Sequence, residues 1–199
     1  MIRKSLAVIA VAVASSFGST APAAAAPVTY GIDSNHSEVS FQIRHLVSKV
    51  RGRFKEFTAT ILRDDAAPAN SSVELVIKAA SIDTEIERRD ADLRSPNFFD
   101  VEKFPDITFK SVQIDKTGEA TYNVTGDLTM HGVTRRLTLP VTYNGEMKDP
   151  WGGTRAGYSL TASLDRTEFG ITWNKALDQG GFLLGDEVQV TINLEAIRK

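Results

Sequence analysis

His36 and Ser37, with Asp33 three residues before the histidine, carry the side chains of a base, a nucleophile and an orienting carboxylate. A hydroxyl is activated only when the base reaches it, and adjacent side chains on an extended strand point to opposite faces, so this pair is not a dyad. No G-x-S-x-G elbow stands elsewhere, which leaves hydrolysis only to residues distant in sequence. His36 and His45 flank one strand, and no HxH, HExxH or Cys-His spacing links them to each other or to His131. A zinc site is therefore not expected, His131 reading as a turn residue and His36 as a hydrogen-bonding strand-edge residue. Gly152-Gly153 and Gly180-Gly181 lack the spacing of a phosphate-binding loop and mark turns. The expectation is no catalytic residue, no metal and no cofactor. Asp165, Arg166 and Glu168 form one further charged cluster, open to two readings: a local ion pair at a strand end, or Arg166 meeting a ligand head group.

Composition narrows the classes further. The chain has 199 residues, 42% hydrophobic and 24% charged, enough apolar material for one domain with a real core. Arg3 and Lys4, the apolar run Leu6 to Ala14 and the small residues ending at Ala23 to Ala26 follow the pattern of a secretory signal peptide. Residues 1–26 are read as that signal and 27–199 as the single mature domain, placed in the periplasm or the medium. No segment reaches the roughly 20 apolar residues of a membrane-spanning helix. Loss of Arg3 and Lys4 leaves 21 basic against 25 acidic residues, a net charge of −4, which disfavours nucleic acid as a partner. There is no cysteine, hence no disulfide, thiol nucleophile or thiolate metal site.

The elements that would position any site are strands. Val39, Phe41 and Ile43 alternate with polar residues, as do Val73, Leu75 and Ile77, and the run from Tyr122 to Met130. The same period recurs in Leu137 to Tyr143, Tyr158 to Leu164 and Val188 to Leu194. Parity slips near Ser111, as a β-bulge would produce, and His131-Gly132 reads as a hairpin turn. The segment Arg51 to Leu62 is strand-like with mixed alternation and no assignable inner face. One helix is expected from Glu85 to Arg94, opened by a Thr84/Glu87 capping box and ended by Pro96. Eight or nine antiparallel strands and one short helix give an all-β fold, with a barrel favoured over a sandwich. An eight-stranded barrel is either filled by its side chains or holds one small ligand.

Apolar residues also stand where strand parity fails. Phe98 and Phe99 are adjacent and cannot share a strand face, and Phe104, Phe169, Ile171, Trp173, Leu177 and Phe182 lie in irregular segments. They either close the ends of a filled barrel or line a pocket for an elongated apolar molecule. In the pocket reading the walls are Phe41, Ile43, Phe54, Leu75, Ile77, Phe109, Leu128, Leu139 and Leu160. The lid and rim are then Phe98, Phe99, Phe169, Trp173 and Phe182, and Arg166 is the polar contact. Burying about 20 carbons yields roughly 16 kcal/mol gross. Some 6 kcal/mol of that survives as net affinity, about tens of micromolar.

Four blocks resemble the YceI-like family: Asp33-Ser34-Asn35-His36-Ser37 with His45-Leu46 and Gly52-Arg53-Phe54; Leu93-Arg94-Ser95-Pro96 with Phe98-Phe99-Asp100 and Phe104 to Phe109; Gly126 to Thr134; and Arg166, Phe169-Gly170 with Gly185 to Val188. The resemblance covers essentially the whole mature chain and departs from the family at Asp92, where histidine is common. It implies a lipocalin-like barrel, exported, holding a polyisoprenoid or other long-chain amphiphile, with roles ranging from lipid carriage to stress response. The expectation is a non-enzymatic carrier. The alternatives are an enzyme acting on such a lipid and a stress-protective domain with a filled core; a homodimer is the common assembly for such a chain.

Overall fold

The computed structural model describes residues 26–199, so all but the last residue of the expected signal peptide lies outside the described residues. In chain order the strands are β1 (Val28–Ile32), β2 (Glu38–His45), β3 (Ser48–Phe54), β4 (Phe57–Arg63), β5 (Ser72–Lys78) and β6 (Ile82–Asp83). After helix α1 (Glu87–Arg94) follow β7 (Asp106–Lys116), β8 (Thr121–Met130), β9 (Val133–Lys148), β10 (Thr154–Asp165) and β11 (Leu184–Arg198). Every pairing is antiparallel, and β1 pairs with both β4 and β11, which closes the sheet.

The eleven segments form eight staves, because the first six strands join in pairs. β1 and β2 run one after the other along β11, interrupted by a 3-10 turn at Ser34–His36. β3 and β4 are separated only by Lys55 and Glu56, and β5 and β6 by the 3-10 turn Ala79–Ser81. The second and third breaks are tied together, Lys55 N–H donating to Ser81 O at 3.1 Å and Lys78 N–H to Glu56 O at 2.9 Å. This explains the mixed alternation between Arg51 and Leu62. The break resets the parity, so that Phe54 and Phe57 both point into the core although three residues apart. His36 accordingly sits in a turn rather than on a strand edge.

The expected bulge is present as a register shift between Ser111 and Gln113 against β8. Met130 pairs with Val133 across the two-residue turn His131-Gly132, both with positive φ (52° and 74°), the backbone a tight hairpin needs. Gly126 is required for a different reason. A Cβ there would meet the Phe109 ring at 2.4 Å, so the ring lies directly on the β8 backbone.

The helix starts two residues later than expected and without the capping box. Ile86 holds the N-cap position with no side-chain bond, and Glu85 takes φ 66°. The buried Asp90 reaches back instead, accepting from the Thr84 N–H at 2.9 Å and from its hydroxyl. The carboxylate thus anchors the preceding loop, while Leu93 packs on the core and Ile86 stays exposed.

Candidate ligand cavity

Inward side chains of the eight staves enclose a cavity of about 1060 Å³, at the upper end of the ~300–1,000 Å³ usual for small-molecule sites. Its wall is aliphatic and aromatic because each stave alternates: Val39, Phe41 and Ile43 on β2, Leu75 and Ile77 on β5, Leu137, Leu139 and Val141 on β9. Phe57 and Arg63 mark the two ends of β4, about 20 Å apart at ~3.3 Å per residue.

At the helix end the cavity is closed by rings. Phe98 meets Trp173 at 5.2 Å between centroids, and Phe99 stands edge-on to Phe54 at 5.8 Å. The adjacent phenylalanines both reach the cavity because they lie in the turn after α1, where Phe99 N–H bonds Leu93 O and Phe98 N–H bonds Ser95 O at 3.0 Å. Arg88, Arg89 and Asp92 complete this rim.

The opposite end is polar. Tyr30, Tyr143 and Tyr158 gather there around Arg63, and Tyr122 lies on the wall beside Lys116. Arg63 donates to the Tyr143 hydroxyl at 3.1 Å, pairs with Glu146 at 2.9 Å and lies 5.1 Å above the rings of both Tyr30 and Tyr143. Asp65 approaches its Nε to 2.9 Å without hydrogen-bond alignment. The Tyr30 hydroxyl donates to Glu146, which holds that carboxyl below its ordinary range. The Tyr158 hydroxyl is buried beside Tyr143 and the Arg63 guanidinium, with no partner in hydrogen-bond alignment. Burial pushes the Tyr143 and Tyr158 phenols up, so both remain protonated at neutral pH.

Thirteen of the fifteen residues expected to line a pocket lie on the cavity wall: Phe41, Ile43, Phe54, Leu75, Ile77, Phe98, Phe99, Phe109, Leu128, Leu139, Leu160, Arg166 and Trp173. Two do not. Phe169 ends a 3-10 turn that tucks its ring into the core behind the wall, 1% exposed. Phe182 lies on an isolated bridge to Ala176 and points to solvent, 55% exposed.

Arg166 reaches the wall, but its guanidinium is already committed. It donates to the carbonyls of Gly185, Ile171 and Trp173 at 3.0, 2.6 and 2.9 Å and pairs with Asp186 at 3.0 Å. Only 4% exposed, it fixes the loop between β10 and β11, with four of its five N–H donors spent on that loop and on Asp186. Neighbouring Asp165 caps its own turn through Thr167 rather than pairing with Arg166.

The residues missed were Arg63, Tyr143 and Tyr158. The tyrosines carried the inward parity of β9 and β10, and Arg63 follows Ile61 by two on β4; only the unresolved parity of that segment hid it.

Ser37 is likewise committed, its hydroxyl donating to Glu195 O and accepting the Glu195 N–H at 2.9 Å. Asp33, His36 and Glu195 bring three donor atoms within 4.8 Å of one another. The Arg155 guanidinium already sits among them, bonded to Asp33 at 2.7 Å and to Glu195, and its charge competes with any cation.

Among known proteins, the model of the YceI-like domain matches residues 30–196. The chain belongs to the YceI-like family. A UPF0312 protein of Pseudomonas savastanoi pv. phaseolicola is 42% identical over 172 residues, covering 86% of this chain and 88% of that one. Among solved structures, BcnA of Burkholderia cenocepacia superposes with a TM-score of 0.73 at 27% identity, over 82% of this chain and 98% of its own. A polyisoprenoid binding domain from Saccharophagus degradans, implicated in plant cell wall breakdown, superposes with a TM-score of 0.67 over 86% of this chain and 99% of its own. At 16% identity that second likeness is one of fold. The closed eight-stave barrel and the one α-helix among the described residues are thus the YceI-like architecture. Among the described residues no helix is long and apolar enough to cross a membrane.

Proposed function

We propose that this protein is an exported, non-enzymatic carrier of a polyisoprenoid or similar long-chain amphiphile. The observation that carries the reading is the cavity of about 1060 Å³, apolar along its length and polar at one end. A chain of isoprene units lies along the aliphatic wall, and its head meets Arg63, Tyr143 and Tyr158. The head is uncharged and bears an oxygen. Arg63 is already neutralised by Glu146 and Asp65, so a phosphate would meet two carboxylates. A carbonyl or hydroxyl oxygen instead accepts from the Tyr158 O–H, which a guanidinium cannot satisfy because it only donates. A small uncharged head also crosses an apolar cavity at far lower cost than a charged one.

The N-terminal pattern of residues 1–26 supports export to the periplasm with cleavage near Ala26. Cell fractionation and N-terminal sequencing of the exported form check this. Carriage is tested on protein purified without detergent, extracted under denaturing conditions and analysed by mass spectrometry. The expected result is a copurified long-chain lipid recovered unaltered. Absence of any bound lipid, endogenous or added at high micromolar concentration, overturns the carrier reading, and chemical conversion of added lipid turns it into an enzyme.

A further inference from the structure

The turn between β2 and β3 breaks a local rule. His45 pairs with Ser48, leaving Leu46 and Val47 as a two-residue turn of the kind that Asn-Gly or Asp-Gly fills. Here Leu46 takes φ 50°, a conformation costly for a leucine, and Val47 is wholly exposed. Phe182 stands beside them: Leu46 N–H bonds Leu183 O at 2.9 Å, and the Arg44 guanidinium donates to the carbonyls of both Leu46 and Phe182 at 3.3 Å. Strain and lost burial are thus held in place by built contacts.

These side chains adjoin the helix end of the cavity. His45, Ile43 and Leu183, next to them in the chain, lie on its wall. Apolar surface therefore continues from the interior over the rim to the outside. Lys49 and Arg51 project outward from β3, and Arg44, Arg88 and Lys175 are exposed nearby; none makes an ion pair with an acid among the described residues. Of the acidic neighbours, Asp186 and Glu187 are held by Arg166 and Ser163, and Asp178, exposed in the turn before Phe182, is outnumbered by these five cations. At the tyrosine end, Arg63 and Arg155 are instead paired with carboxylates.

We propose that the turn Leu46-Val47 and Phe182 dock this end of the barrel onto an anionic lipid bilayer. The inference rests on the carrier reading and deepens it. Protruding apolar side chains enter the acyl boundary while the unpaired cations face lipid head groups, the combination that holds peripheral proteins at a bilayer. The bilayer is favoured over a protein partner by continuity with the cavity, which lets a long chain pass from membrane to barrel without crossing water. A lipid drawn from a surface enters head first, which brings its head to the tyrosines and leaves its chain toward the rim.

The test uses the exported form of the full chain with sedimented vesicles, either of phosphatidylethanolamine and phosphatidylglycerol or of phosphatidylcholine alone. Binding to the anionic vesicles is expected at low salt, at least ten-fold weaker to phosphatidylcholine. The double variant Val47→Glu/Phe182→Glu, at two exposed positions off the cavity wall, should lose at least ten-fold in vesicle binding while retaining copurified or added lipid undiminished. Retention thereby reports separately on the carrier reading. Trp151→Glu, on an exposed turn at the tyrosine end, should bind vesicles as the unaltered protein does. The proposal is overturned by absence of vesicle binding, by equal binding of the double variant, or by loss of binding in Trp151→Glu. It is also overturned if light scattering gives a dimer that the double variant splits, since a second copy then covers the patch.

Discussion

At the helix end of the barrel Phe98, Phe99 and Trp173 close the cavity with rings, and outside them Leu46, Val47 and Phe182 are exposed beside unpaired cations. At the other end Tyr143, Tyr158 and Arg63 line it with hydroxyls and a guanidinium, and Arg63 and Arg155 are paired with carboxylates. The helix end rests on turns and loops, the tyrosine end on paired strands: Tyr143 lies opposite Tyr158, and Tyr30 opposite Ile61. A lid that opens belongs on the former and a fixed recognition site on the latter. The sharpest way to break this contrast is a charge in the lid. Phe99→Asp places a carboxylate against the apolar wall, and lipid retention should fall by roughly 100-fold, about 3 kcal/mol, by titration with a fluorescent long-chain alcohol. Unchanged retention would show that the lid does not touch the cargo.

Arg166 is the residue on which the order of the helix end depends. Replacing it by alanine strands three carbonyls it now satisfies, those of Gly185, Ile171 and Trp173. The expected loss is about 3 kcal/mol, which lowers Tm by roughly 6–12 °C in thermal denaturation. A head-group role would instead leave Tm unaltered and reduce retention alone. Arg166→Lys, which keeps the charge but not the planar fork, should recover less than half of the loss.

How much of this could be read beforehand differs between the two ends for a physical reason. Period-2 alternation is local, so the strands, the bulge at Ser111 and the hairpin at His131-Gly132 were all visible in the sequence. The wall positions on the regular strands, such as Phe41, Ile43, Leu75, Ile77, Leu128, Leu139 and Leu160, followed from the same parity. The resetting of parity at Lys55 and Glu56 depends on hydrogen bonds to residues 78 and 81, which no local pattern encodes, and it concealed Arg63. Thr84 and Glu87 satisfied the letter of a capping box, yet Asp90 outcompeted Glu87 for the Thr84 N–H. Phe182 read as lining because aromatic residues usually bury, and only its bridge to Ala176 turns it outward.

The tyrosine end is expected to contribute less than the wall, and in a way that distinguishes head groups. Tyr158→Phe removes one hydroxyl that the protein itself leaves unbonded, so Tm should stay unchanged or rise slightly. Retention of a long-chain ketone or alcohol should weaken about five-fold, near 1 kcal/mol, while that of the parent hydrocarbon is unaffected. Equal weakening for both ligands would mean that the ring packs against the chain and the hydroxyl recognises nothing.

The smallest effect lies at the seam just outside that end, where Arg155 bridges Asp33, Asp149 and Glu195 across β1, β10 and β11. The hydrogen bond from Arg155, and after it that from His36, lowers the Asp33 carboxyl to about 2. A depressed carboxylate stabilises the folded chain fully above its unfolded value near 3.8, and that contribution disappears as pH falls through about 2. The Tm difference between the unaltered chain and Asp33→Asn should therefore persist down to about pH 4 and vanish between about 4 and 2. Because the seam is only partly shielded from solvent, the difference should be a few degrees at most and shrink in salt. A difference that persists at pH 2 would show that it does not come from the charge of the carboxylate.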